Sequence, residues 1–180
     1  MGTDNLINLD RNSKDDNSLW YFKAPTKFYD NQGLAYGGWL SFTMSSFSGD
    51  FKRLNRENAP LVILECDTCI GPVSQGITLV FPINVPRVGR YGGEIKAFSI
   101  PLSENEGWLK DPQNTLKPWI AALQCDVIQV LSRLSNVQIL GDWTTGEESI
   151  ALDSVVISNK KAMLPLCAMS RTDASICTCK

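Results

Sequence analysis

The sequence predicts a mainly β protein in which two antiparallel sheets pack face to face as a sandwich, with one amphipathic helix added. Two observations lead to this fold class. Roughly six to eight short runs rich in β-branched, aromatic and other apolar residues follow one another at short spacing. One further stretch carries apolar residues at helical spacing. A chain of 180 residues that is 43% hydrophobic is long enough to form one core.

The predicted strands show two patterns. In residues 39–44, Leu40, Phe42 and Met44 alternate with other residues, as expected for a strand with one buried face. Residues 61–64 are continuously apolar, which predicts a strand buried on both faces. The other predicted strands are 19–22, 77–81, 95–100, 137–140 and 149–157, and residues 82–93 read as a loop. In the last strand, one face is expected to carry Ile150, Leu152 and Ser154, and the other Ala151, Asp153 and Val155.

The predicted helix lies between the fifth and sixth of these strands. Its apolar residues recur at spacings of three and four, which favours packing on the core: Trp119, Ile120, Leu123, Val127, Ile128, Val130, Leu131 and Leu134. Asn114 or Thr115 is a candidate cap, and Pro118 fits the first turn. Cys125 lies near the apolar stripe, so we expect it to be a buried, unreactive thiol.

The composition argues against catalysis and against nucleic-acid binding. Histidine is absent, which removes the common nucleophile–base pairs and the usual general base at neutral pH. The formal net charge of −2 gives no field that would attract a polyanion. No apolar run approaches the roughly 18 residues that span a bilayer. We therefore expect a protein that is not an enzyme, with no nucleic-acid partner and no membrane span.

The even number of cysteines favours disulfides and an oxidising compartment, either extracellular or the lumen of an organelle. The candidates are Cys66 with Cys69 across a turn, and Cys167 with Cys177 or Cys179 near the end of the chain. Free thiols, a redox motif and a zinc site are the alternatives. No helix is predicted after the Cys-x-x-Cys motif, which disfavours redox chemistry. The one-residue spacing of the last two cysteines disfavours zinc.

Two groups of residues are candidate ligand contacts. Tyr29, Tyr36 and Trp39 flank turns and could stack on a sugar, although aromatic residues also pack in any sandwich core. The acidic residues after the helix could donate oxygens to a structural calcium ion, namely Asp142, Glu147, Glu148 and Asp153. They lack the regular spacing of a dedicated calcium loop, and a solvated turn is the alternative. No other cofactor is predicted.

Short motifs occur in a recognisable order along the chain. They are WYFKAPTKF at 20–28, YGGWLSFT at 36–43, LVILE at 61–65, the segment 101–108 that ends in Trp108, IQVLSRL at 128–134 and IALDSV at 150–155. Their order resembles the laminin IV type A domain, also called the laminin B domain. The resemblance implies a jelly-roll-like β-sandwich, similar to carbohydrate-binding modules, without catalytic residues. The chain departs from the family at the Cys66–Cys69 loop and lacks flanking cysteine-rich repeats, which indicates a divergent, stand-alone member.

Three segments and one function are expected on these grounds. Residues 1–18 form a polar N-terminal extension, residues 19–157 the sandwich, and residues 158–180 a cysteine-containing tail. The predicted function is that of a non-catalytic structural or interaction module that docks on a larger protein assembly or on extracellular matrix. The alternative is a lectin-like module that binds a glycan, supported by structural calcium.

Overall fold

The computed structural model describes residues 19–51, 59–70, 75–84, 86, 88–111, 119–144 and 146–159. The predicted N-terminal extension, nearly all of the predicted tail and the candidate helix caps lie outside these residues. The same holds for Cys167, Cys177 and Cys179.

The described residues form nine strands and one α-helix. In chain order these are β1 Tyr21–Lys23, β2 Trp39–Ser48, β3 Pro60–Ile70, β4 Gln75–Pro82, β5 Lys96–Pro101, β6 Leu109–Asp111, β7 Ile120–Ala121, α1 Gln124–Ser132, β8 Asn136–Leu140 and β9 Ser149–Ser158. One sheet has the strand order β1-β8-β3-β4-β6-β7 and the other β5-β2-β9. All strand pairs are antiparallel, which confirms the predicted two-sheet sandwich.

The hydrophobic core joins the two sheets. Leu61 and Leu64 of β3 are almost inaccessible, and their neighbour Val62 is fully buried, which confirms a strand covered on both faces. The helix α1 packs against β3 and β4. Two aromatic rings pack together in this core: Phe81 and Trp108 have centroids 5.3 Å apart, and the Trp108 Nε1–H donates a 2.7 Å hydrogen bond to the carbonyl of Pro101. This bond satisfies the one polar atom of a buried indole.

The helix is shorter than the apolar pattern predicts. Ile120 does not join the helical stripe; it pairs with Lys110 in the sheet and is 51% exposed. Extended backbone continues to Leu123, whose N–H donates a 3.0 Å hydrogen bond to Asp126 Oδ2 and so fixes where α1 starts. The Lys110 ammonium lies 2.5 Å from the other oxygen of Asp126, and both residues are buried. Sheet pairing and this ion pair therefore override the local helical periodicity.

The orientation of the side chains along β9 also differs from the simple inward–outward alternation that the sequence predicts. Ser154 adopts a left-handed conformation with φ of 54°, and the register between β2 and β9 shifts at this point. The extra residue forms a bulge that reverses the alternation. Val155 consequently packs toward the core with Ile150 and Leu152 rather than lying on the opposite face with Asp153.

The disulfide predicted between Cys66 and Cys69 is present in β3. The prediction for Cys125 is wrong, because this residue is disulfide-bonded and only partly buried. The apolar stripe near Cys125 gave no indication of this bond.

Candidate interaction surface

One face of the three-stranded sheet points away from the core. In β2, Leu40, Phe42 and Met44 are at most 2% exposed, so the odd-numbered residues lie on the opposite side. Strand pairing extends this side onto both neighbours. We call it the outer face, and it comprises Trp39, Ser41, Thr43, Ser45, Ala97, Ser99, Ala151, Asp153, Val156 and Ser158, together with the exposed Phe47 at the register shift between Ser46 and Ser48 at its end.

The outer face combines exposed apolar side chains with small neighbours. Phe47 is 81% exposed, Val156 51% and Trp39 36%. Trp39 and Val156 are close to each other, because Val156 pairs with Ser41, two residues along β2. Small side chains separate this pair from Phe47, and the Asp153 carboxylate is the only charge within the outer face as defined. The result is a nearly uncharged surface with large side chains toward its ends.

A cleft of about 560 Å³ continues the outer face around the edge of β5. Trp39, Ser99 and Phe98 line it, together with Lys96. The Lys96 ammonium donates a 2.8 Å hydrogen bond to the carbonyl of Arg90 and lies 5.3 Å from the centroid of the Phe98 ring. This cation is therefore held by the protein itself, and the cleft adds mainly apolar area to the surface.

The other two predicted aromatic contacts take part in the fold. The Tyr29 hydroxyl donates a 2.7 Å hydrogen bond to the carbonyl of Ala24. The Tyr36 hydroxyl donates to Glu104 Oε2 at 2.6 Å and accepts from Gln124 Nε2 at 3.0 Å. Burial raises the pKa of both phenols, assisted at Tyr36 by the hydrogen bond to Glu104. Both hydroxyls thus hold loops in place.

Tyr29 and Trp39 line separate clefts, so the structure does not join them in one platform. The cleft at Tyr29 measures about 540 Å³, and most residues in its wall are of polar types, among them Asp30, Asp67 and Arg133. These three side chains are exposed and form no ion pair within the part of the chain that the structure describes. Asp30 has a positive φ of 68°, an uncommon conformation for a residue other than glycine.

The predicted calcium candidates are dispersed. Glu147 is exposed, and Asp153 lies on the outer face, where its Oδ1 accepts a hydrogen bond from the N–H of Ser154. Asp142 is buried at 3% exposure. Within the described ranges, no group of three or more His, Cys, Asp or Glu residues could hold a metal ion.

Glu148 is the acidic residue that turns inward. Its carboxylate accepts hydrogen bonds of 3.0 Å from the N–H groups of Trp143 and Thr144, which closes the turn before β9. Burial raises the pKa of Glu148 from 4.5 to about 7; the Trp143 hydrogen bond opposes this shift and the Asp142 charge adds to it. Burial also raises the pKa of Tyr91 to about 12, with further contributions from Glu94 and from Glu148.

Sequence reasoning missed Phe47 and Val156, and it named Glu148 as a calcium candidate without predicting that this carboxylate turns inward. Continuing the alternation of 39–44 by three residues would have placed Phe47 on the same face as Trp39. The sequence contains no pattern that predicts the exposure of Val156, because the orientation of its side chain depends on the bulge at Ser154. Adjacent Glu147 and Glu148 look alike in sequence, and only the turn decides which one points inward.

These features define a two-sheet β-sandwich module with an exposed, nearly uncharged sheet face. The family model for laminin B (domain IV) matches residues 21–161, and the chain belongs to this family. This confirms the resemblance seen in the motifs. Laminin B domains are non-catalytic structural modules of extracellular matrix proteins.

A solved structure supports the fold assignment. The L4b domain of human laminin alpha-2 is similar to this chain with a TM-score of 0.54 and 15% sequence identity, over 78% of this chain and 70% of that chain. At this identity, the likeness establishes the fold alone. A comparison with curated protein sequences finds no match. None of the described helices has the length and apolar character needed to cross a membrane.

Proposed function

We propose that the domain is a non-catalytic interaction module that docks on a protein partner in a larger assembly or matrix. The outer face is the proposed contact surface. The observation that carries this proposal is the exposure of Trp39, Phe47 and Val156 on a face with a single charge. Aromatic residues are enriched in protein interfaces and charged residues are depleted at their centres.

The energetics are adequate for such a role. Phe47 is 81% exposed, so covering its side chain would remove on the order of 150 Å² of apolar surface from water. At about 25 cal/mol per Å², this corresponds to a gross gain of roughly 4 kcal/mol. Ordering and desolvation consume part of that gain. We expect truncation of Phe47 to weaken binding by about 10- to 100-fold, as at an interface hot spot.

The proposed setting is the extracellular space, with the lumen of another oxidising compartment as the alternative. The Cys66–Cys69 disulfide and the membership of the laminin B family support this setting. Residues 19–157 would act as the docking unit. Residues 1–18 and 158–180 would be its flanking extension and cysteine-containing tail.

A capture experiment tests the proposal. Immobilised wild-type domain, a Trp39→Ser/Phe47→Ser variant and an Ile70→Ser control are incubated with the extracellular fraction of the source organism, and bound proteins are quantified by mass spectrometry. Ile70 is 78% exposed on β3, in the other sheet, so the control removes a similar apolar side chain elsewhere. The proposal requires one protein that wild type and control retain and the double variant loses. Equal retention by all three would refute it.

The lectin-like alternative is favoured by a different observation, the polar cleft beside Tyr29. Asp30, Asp67 and Arg133 leave their charged groups available there, and carboxylates and guanidinium groups bind sugar hydroxyls. A glycan array probed with and without a chelator tests this alternative. Specific glycan binding that Asp67→Ala abolishes would support it, and an array without signal would remove it.

A further inference from the structure

Helix α1 carries a disulfide-bonded cysteine at its start. Cys125 is bonded and only partly buried, whereas Cys66 and Cys69 bond to each other inside β3. The chain has six cysteines, so the candidates for a partner within the chain are the three that follow β9. These are Cys167, Cys177 and Cys179.

Two exposed leucines lie beside this cysteine. Leu123 directly precedes α1 and is 69% exposed, and Leu34 is 58% exposed. The short turn that carries Leu34 packs against α1. A hydrogen bond of 3.0 Å from Gln124 Nε2 to the Tyr36 hydroxyl joins the same two segments. We call the surface formed by Leu34, Leu123 and Cys125 the helix-start patch, and clustered exposed apolar residues of this kind mark a contact surface.

The strand β9 leads the chain toward the helix-start patch. Its last residue, Ser158, pairs with Trp39 at the start of β2. Trp39 is three residues beyond Tyr36, whose hydroxyl is bonded to the first residue of α1. The segment from Ser158 to Cys167 can extend over about 30 Å. This length is sufficient to follow the path from the end of β9 to the start of α1.

The sequence after β9 supplies an apolar segment that fits the patch. Residues 162–169 read AMLPLCAM, without a charged or hydrogen-bonding polar side chain, and Cys167 lies among them. The last two cysteines instead lie in the mainly polar sequence TDASICTCK at 172–180. Covering exposed leucines with apolar side chains is favourable, because it removes both from water. Burial therefore favours Cys167 as the partner of Cys125.

We propose that residues 162–169 dock on the helix-start patch and that a disulfide between Cys125 and Cys167 holds them there. In forming this bond, the two thiols pass two electrons and two protons to a disulfide oxidant, which becomes a dithiol. The bond closes a loop of about 40 residues and ties the segment after β9 to α1. The contact uses no residue of the outer face, so it is independent of the proposed docking function.

Peptide mapping of the oxidised, monomeric chain tests the disulfide. Trypsin separates Cys167, on peptide 162–171, from the last two cysteines, on peptide 172–180. After free thiols are alkylated without reduction, the peptide that contains Cys125 should be recovered in a link to peptide 162–171. A link to peptide 172–180, or an alkylated Cys125, would overturn the proposal.

Proteolysis of the native chain tests the docking separately from the bond. Trypsin should cleave after Lys161 at least fivefold faster in Leu34→Ser/Leu123→Ser than in wild type, with the disulfide intact in both, because a docked segment resists cleavage. Both leucines are largely exposed, so this variant should keep the fold. Ile70→Ser removes an apolar side chain that is 78% exposed on β3 and should leave the rate unchanged. Equal rates in wild type and the double variant would refute the docking.

Discussion

Replacing Glu148 by glutamine should make the stability of the domain less dependent on pH. The pKa of this carboxyl is about 7 in the folded protein and 4.5 without the fold, so the folded state holds the proton more tightly. Its stabilising contribution is therefore complete below about pH 4.5 and is lost as the pH rises through 7. Glutamine keeps a carbonyl oxygen that can accept the N–H of Trp143 and carries no charge.

The expected magnitude follows from the same difference. The difference between a pKa of 4.5 and a pKa of about 7 corresponds to at most about 3 kcal/mol of unfolding free energy. The carboxylate is only partly buried, and solvent screening reduces the effect to about 1–2 kcal/mol. Relative to wild type, Glu148→Gln should therefore gain about 1–2 kcal/mol of unfolding free energy between pH 5 and pH 8.

Urea unfolding followed by tryptophan fluorescence at pH 5, 6, 7 and 8 measures this gain. Glu147→Gln removes the same charge at an exposed position one residue away and serves as the control. If the difference in unfolding free energy between Glu148→Gln and wild type stays constant from pH 5 to pH 8, the Glu148 carboxylate is not destabilised by burial and the prediction fails.

Three further predictions concern the fold. Lys110→Met leaves the buried Asp126 carboxylate without its cation and should lower the unfolding free energy by about 3–5 kcal/mol. The double variant Lys110→Met/Asp126→Asn should recover part of this loss. A loss below about 1 kcal/mol in Lys110→Met would contradict the buried ion pair. In Gly141→Ala, the new Cβ would lie 1.9 Å from the Trp20 ring, so a loss of about 2–4 kcal/mol is expected in urea unfolding. In a Trp20→Ala background the same change should cost less than about 1 kcal/mol. Alkylation before reduction, read by mass spectrometry, should leave Cys125 unmodified.

Strands that face the core on one or both sides were predictable from the sequence. Burial imposes period-2 alternation on Leu40, Phe42 and Met44 and a continuous apolar run on residues 61–64, and both patterns survive in the structure. The strands β6 and β7 were not predicted. They have three and two residues, too few to show a period, and they exist only because distant segments pair.

The candidate sites were less predictable, because they depend on tertiary geometry. Local spacing does not reveal that Lys110 pairs with Asp126, so the predicted helix began too early. The reversal at Ser154 decides that Val156 is exposed and Val155 is buried in part, and no sequence pattern marks it. Similarly, Tyr29 and Tyr36 flank turns as predicted, yet their hydroxyls are used within the fold.

Hydrogen–deuterium exchange on the complex with the captured partner tests most directly whether the domain docks through its outer face. Docking through the outer face predicts slower exchange in the peptides that contain β2 and β9, around Trp39, Phe47 and Val156, with unchanged exchange at Ile70. Protection at the Tyr29 cleft with no change in β2 and β9 would contradict it.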